Sequence, residues 1–185
     1  GAIGIEFASF YNTLGADVTV VEIMDRVLPV EDEEISAFAA KSFRKQGMNL
    51  LTGVGVEKLE PGKDNVTVHV KGKDGNVQKI TVDRVIMAVG ITGNVENIGL
   101  ENTRVEVDRG HIRIDPYCRT AEPGVYAIGD IVGPPWLAHK ASHEGVLCVE
   151  KIAGKDVHPL DTTNIPGCTY CHPQVASVGY SEAKA

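Results

Sequence analysis

The sequence predicts an α/β chain: a doubly wound, Rossmann-type parallel unit with an inserted β-meander, and a second, partial α/β unit. Three observations lead there. Amphipathic helical patterns alternate with short apolar runs over the first half. Three β-rich runs separated by Gly, Asp and Asn turns stand together in residues 54–82. Val125-Tyr126-Ala127-Ile128-Gly129-Asp130 reads as a buried strand ending in a Gly-Asp turn, with a Gly-Pro-Pro loop and a helix after it. Ligands of open α/β sheets collect at that carboxyl edge, where a helix N-terminus adds positive partial charge. Asp130 is therefore either a ligand-facing carboxylate or a solvated residue at an ordinary strand end.

Composition bounds the function. A chain of 185 residues suits one or two small domains. The net charge of −7 argues against a nucleic-acid partner. No run approaches the roughly 20 apolar residues of a membrane span, and the opening residues carry no secretory-signal pattern. The chain opens without Met on a helical pattern and closes inside another. An internal segment of a longer polypeptide is expected, with a strand upstream of Gly1.

In residues 2–14, Ile3, Phe7, Phe10, Tyr11 and Leu14 recur at helical spacing and Gly15 stops the helix. Val18 to Val21 is a strand ending at Glu22. A helix is expected over 31–46, with Ile35, Phe38, Ala39, Ser42 and Phe43 on one face. Its acidic first turn and basic last turn suit the helix dipole. The meander follows, Val66, Val68 and Val70 marking its buried face. Val85 to Val89 reads as a continuous, fully buried parallel strand. Residues 92–103 are loop-rich. Short strands are expected near Val105 and Ile112–Ile114, a helix over 138–152, and a strand at Val175 to Val178.

Gly1-Ala2-Ile3-Gly4 fits the last four positions of G-x-G-x-x-G, the fingerprint that sets a pyrophosphate on a helix N-terminus. Gly4 falls in the first helical turn, where a small residue permits close helix–strand packing. Glu22 lies 18 residues further on, where the fingerprint places an acid for the ribose hydroxyls. A carboxylate there would repel a 2′-phosphate, so NAD(H) is favoured over NADP(H). The bland alternative leaves Glu22 as a strand end.

Cys118 and Cys148 read as small buried hydrophobes. Cys168-Thr169-Tyr170-Cys171-His172 fits both a redox pair and the haem-attachment sequence. Neither has its required context, since the pair leads into a strand and haem attachment would need export and an axial partner; a zinc site would need a second ligand pair. Coincidence is the preferred reading. His139 and His143 have metal-ligand spacing without a third ligand, so no metal is expected.

Gly1 to Ala8, Val20-Val21-Glu22, Thr120 to Asp130 and Leu137-Ala138-His139-Lys140-Ala141 together resemble the pyridine nucleotide–disulfide oxidoreductases. The last of these, with His172 to Gly179, is most similar to the dihydrolipoamide dehydrogenase branch. The resemblance implies an NAD domain over residues 1–91, the returning half of an FAD domain over 92–160, and the start of an interface domain over 161–185. It implies NAD contacts at Gly1, Ala2, Ile3, Gly4, Glu6, Glu22, Val54 and Gly90. It implies FAD contacts at Gly129, Asp130, Leu137, Ala138 and His139, with Asp130 on the ribitol. The parent would be a homodimer, cytoplasmic or in the mitochondrial matrix. It would oxidise dihydrolipoamide on the lipoyl domains of 2-oxoacid dehydrogenase complexes through an enzyme disulfide, FAD and NAD⁺.

Departures matter equally. The family's redox cysteines, four residues apart, do not occur here, and its catalytic His–Glu pair would lie beyond Ala185. No catalytic residue is expected within this chain. Ile91-Thr92-Gly93 replaces a common Arg-x-Pro. The alternatives are a related flavoprotein of the NADH oxidase or mercuric reductase type, a non-catalytic NAD-binding module, and a haem electron carrier.

Overall fold

The computed structural model describes residues 1–185. Its elements in order are helix α1 (Ala2–Thr13), strand β1 (Thr19–Glu22), helix α2 (Glu33–Lys45), strands β2 (Asn49–Thr52), β3 (Val54–Pro61), β4 (Val66–Gly72) and β5 (Val77–Val82), the short strands β6 (Val107–Asp108) and β7 (His111–Ile112), helix α3 (Ala138–Ile152), and strands β8 (Gly167–Thr169) and β9 (Val175–Ser177). They fall into two units, Gly1–Val89 with Pro166–Ala185, and Gly90–Ile165. No helix is long and apolar enough to cross a membrane.

The first unit is built on a strand–helix–strand crossover. β1 and β2 pair in parallel, Thr19 opposite Asn49 through Glu22 opposite Thr52, with α2 connecting them. Sequence periodicity does not reveal β2, because only Leu50 and Leu51 are apolar between Asn49 and Thr52. Ile5, Ala8, Val27, Leu28, Ala39, Phe43, Met48 and Leu50 pack into one core. Phe43 is completely buried, which stabilises the unit by roughly 2–3 kcal/mol.

α2 differs in part from expectation in the face it buries. α2 buries Ser36, Ala39 and Phe43, while Ile35 and Phe38 are exposed. The stripe is turned towards Ser36 because the Ser36 hydroxyl donates to the carbonyl of Val27. α1 buries Ile5, Ala8 and Ser9, and Ile3, Phe7, Phe10, Tyr11 and Leu14 face outward. Apolar residues surround this helix, so their spacing reports a helix but not its buried side.

β3, β4 and β5 form the expected antiparallel meander, with a register shift between Val56 and Lys58. Val68 and Val70 are its buried residues, as alternation implies. Residues 85–89 correct the sequence reading. They form no ladder, and Met87 and Val89 are largely exposed. An apolar run becomes a parallel strand only with a neighbour in register, and no strand of this chain supplies one.

Pro166–Ala185 packs against the first unit. β8 and β9 pair antiparallel, Thr169 opposite Val175, and Cys171 and Val175 join the core. The Tyr170 N–H donates to Glu6 Oε1 at 2.8 Å, and the His172 N–H donates to Ser9 Oγ at 3.1 Å.

In the second unit β6 and β7 form a hairpin turned by Arg109 and Gly110, both at positive φ. The stretch 125–130 also corrects the sequence reading. It is extended but makes only an isolated bridge, Arg119 to Tyr126, and a 3₁₀ turn begins at Gly129. Its backbone is held instead by the loop before it. The Ala127 N–H donates to the Cys118 carbonyl, and the Thr120 N–H donates to the Val125 carbonyl.

Asp32 caps α2, accepting from the Glu34 N–H at 3.3 Å, and also accepts from the Glu182 N–H at 2.9 Å. These donors, Glu182 first, hold its carboxyl below the usual aspartate value of 3.8. A depressed folded-state pKa gives stability that is present above the unfolded value and is lost as pH falls through the folded one. Asp32→Ala is therefore expected to lower the melting temperature at neutral pH, with a deficit that shrinks below about pH 4. A deficit independent of pH would contradict this account.

Candidate functional site

In the first unit the candidate residues gather at the start of α1 and the end of β1. The helix begins at Ala2 with Gly1 as its N-cap and no capping side chain. The first-turn amides are therefore left without a side-chain partner. Glu22 ends the adjacent strand, and its Oε2 lies 2.8 Å from the Gly1 nitrogen, which is the terminal amine of this chain. The Met24 N–H donates to the other carboxylate oxygen at 3.0 Å. Burial raises the Glu22 pKa as the largest single influence. Donation from the terminal amine at Gly1 and from the Met24 N–H, with the charge of that amine and the Ile23 N–H, outweighs it, so the carboxyl sits below its usual value, and the amine's share of the lowering belongs to the chain end. A carboxylate thus stands beside an uncapped helix start.

The glycines differ in what requires them. A Cβ on Gly1 would meet nothing within 4 Å. A Cβ on Gly4 would lie 3.5 Å from Ala88 Cβ, an ordinary contact, so only side chains larger than alanine are excluded by this approach. Gly90 is held at a φ of +136°, a conformation open to glycine. Ala2 and Ile3 are exposed on the first turn. Val54 begins β3 opposite Gly72. Its neighbours Gly53 and Gly55, with Ile23, Val56, Lys71 and Lys73, line an open groove of about 330 Å³. Glu6 is one turn along α1, its Oε1 engaged by the Tyr170 N–H.

In the second unit the candidates lie at the start of α3. The N-cap is Leu137, again with no capping side chain. Ala138 and His139 are exposed in the first turn and Leu137 is half-buried. Asp130 is exposed in the 3₁₀ turn Gly129–Val132, next to buried Gly129. Gly129 has a φ of +78°, and its Cβ would stand 3.4 Å from Ala141 Cβ, so the turn lies flush on the helix.

Two residues that periodicity does not single out hold that turn. Lys140 Nζ and Glu144 Oε1 pair at 2.9 Å, with side chains only 4% and 8% exposed. In sequence they read as an ordinary surface i, i+4 pair. Gly93 was equally unmarked. Its Cβ would fall 2.5 Å from the Gly110 carbonyl oxygen, so the backbone approach to the β6–β7 hairpin excludes any side chain.

The chain belongs to the pyridine nucleotide-disulphide oxidoreductase family, whose pattern matches residues 1–145. Over its full length it is 59% identical to dihydrolipoyl dehydrogenase of Rhizobium etli and 53% identical to that of Zymomonas mobilis. It spans 39% and 40% of the length of these relatives. Among solved structures, LpdA from Mycobacterium tuberculosis superposes with a TM-score of 0.90 at 29% identity, covering 100% of this chain and 39% of that one. The HOCl-induced flavoprotein disulfide reductase RclA from Escherichia coli gives 0.89 at 26% identity, covering 99% of this chain and 41% of its own. These neighbours share the α/β fold expected from the sequence.

The four cysteines are free. Cys118 is 2% exposed, and burial, followed by the proximity of Cys148, Glu144 and Asp115, pushes its thiol up to about 11. Cys171 lies in the core with its thiol also raised, chiefly by burial. A thiol kept protonated is a poor nucleophile. In native protein at about pH 8, an alkylating agent should leave Cys118 and Cys171 unmodified until the chain is unfolded, as read by mass spectrometry. Rapid native labelling of either would overturn this assignment.

Proposed function

We propose that this chain supplies the NAD-binding surface and one side of the flavin site of an NAD-dependent dihydrolipoamide dehydrogenase. The observation that carries the nicotinamide half is the placing of Glu22, at the end of β1 with its carboxylate accepting from the Met24 N–H, beside the uncapped start of α1. The first-turn amides of α1 suit a pyrophosphate. Glu22 suits the paired ribose hydroxyls and repels a 2′-phosphate. The groove beside Ile23, Gly53 and Gly55 is of a size for the adenine end, next to Val54. Gly4, Ala2 and Ile3 shape the helix start, and Gly90 offers backbone. Glu6 would lie near the nicotinamide.

The residues around α3 suit the flavin. Asp130 would accept from the ribitol, Gly129 permits close approach, and Leu137, Ala138 and His139 would line the ring. The uncapped helix start favours negative charge. Flavin, when bound, would relay an electron pair from the dithiol form of an enzyme disulfide to NAD⁺, the dithiol being oxidised back to the disulfide. The disulfide is not assigned to this chain, given the burial of Cys118, Cys148 and Cys171. The identity with dihydrolipoyl dehydrogenases supports dihydrolipoamide, presented by the lipoyl domains of 2-oxoacid dehydrogenase complexes, as the electron donor. The parent enzyme would be a homodimer, in the cytoplasm or alternatively in the mitochondrial matrix. Residues 1–91 would form the NAD domain, 92–160 the FAD portion, and 161–185 the start of the interface domain.

Glu22→Ala in the complete polypeptide should weaken NADH binding about tenfold or more, the effect of losing hydrogen bonds to a charged acceptor. Flavin content should not change. Unaltered NADH affinity in a calorimetric titration would remove Glu22 from the site.

A further inference from the structure

Lys140 and Glu144 are the two charged residues that the chain buries. Such a pair is seldom retained for stability, because apolar side chains of similar volume often serve as well. Here both partners spend their remaining hydrogen-bonding capacity on one loop. Glu144 Oε2 accepts from the Gly129 N–H at 2.7 Å. Lys140 Nζ donates to the Gly129 carbonyl at 3.4 Å and to the Gly133 carbonyl at 3.2 Å. The two ends of the turn that carries Asp130 are thus tied to one stretch of α3, and the Gly133 N–H closes the turn on the Asp130 carbonyl at 3.2 Å. The Glu144 carbonyl meanwhile accepts from the Cys118 thiol, which fastens the loop before residue 125 to the same point.

We propose that Lys140 and Glu144 are positioning residues for the flavin site. They clamp the Gly129–Gly133 turn and so fix the Asp130 carboxylate relative to the first turn of α3. The inference rests on reading Asp130 and the start of α3 as flavin contacts. The ion pair itself touches no cofactor. It sets the distance between two groups that do, and preorganisation of that kind appears as affinity.

The test uses the complete polypeptide, stripped of flavin and titrated with FAD, and follows the visible circular dichroism of the bound flavin. The double variant Lys140→Met with Glu144→Leu removes the clamp without leaving a lone buried charge. Its apoprotein should melt close to the wild type, while its FAD dissociation constant rises at least about tenfold and the dichroic bands of the flavin change. Wild-type affinity and dichroism in this variant would overturn the proposal. If the double variant does not fold, Lys140→Gln with Glu144→Gln keeps shape and neutral hydrogen bonding to the turn without a lone buried charge but loses charge assistance, and the constant should rise about fivefold. An unchanged constant there would overturn it equally. Asp130→Asn separates the two layers of the argument. If it leaves FAD affinity intact, the reading of Asp130 as a flavin contact fails, whatever the clamp variants do.

Discussion

Backbone donors left over at helix starts give this chain two places suited to a charged group. Every helix begins with amides that have no partner within it. α2 satisfies them internally, through the Asp32 carboxylate and an acidic first turn. α1 and α3 do not, for Gly1 and Leu137 stand at their N-caps and neither offers a capping side chain. A capped helix start is finished, whereas an uncapped one is an electropositive site. Around each of the two uncapped starts the chain places glycine for access and one carboxylate, Glu22 in the first unit and Asp130 in the second.

The two units reach that arrangement by different means. The first uses apolar packing: Phe43 and Leu50 fasten α2 and β2, which fix β1 and hence Glu22. The second has few ladder hydrogen bonds, since β6 and β7 are two residues each. Its Asp130 turn is set by polar contacts from the buried Lys140–Glu144 pair. Removing one partner of such a pair typically costs about 3–5 kcal/mol, because the other charge is left buried and alone. The second unit therefore depends on a charge balance within one helical turn.

Much of the architecture was legible in the sequence. Caps and charge placement located α2, Val-rich alternation located the meander, and α3 begins and ends where its pattern does. The acid 18 residues beyond Gly4 pointed to Glu22, which lies against Gly1. Other features were not legible, for physical reasons. β2 has too few apolar residues to show a period. Val85 to Val89 has the composition of a buried strand, but strand formation depends on a neighbour that composition does not encode. Ile35 and Phe38 follow the helical repeat, yet a hydroxyl–carbonyl bond at Ser36 turns the helix away from them. The Lys140–Glu144 pair has the spacing of a surface pair, and only the tertiary fold buries it. Gly93 is required by a backbone 17 residues away, and no local motif marks it.

The central claim is that two uncapped helix starts, each with its own carboxylate, hold a nicotinamide dinucleotide and a flavin. An anaerobic titration of the purified complete polypeptide with NADH, and separately with NADPH, followed in the visible absorption bands, tests it most directly. The account requires flavin bands in the protein as isolated, bleached by NADH at concentrations where NADPH has little effect. A colourless protein, flavin bands indifferent to NADH, or equal bleaching by both nucleotides would contradict it.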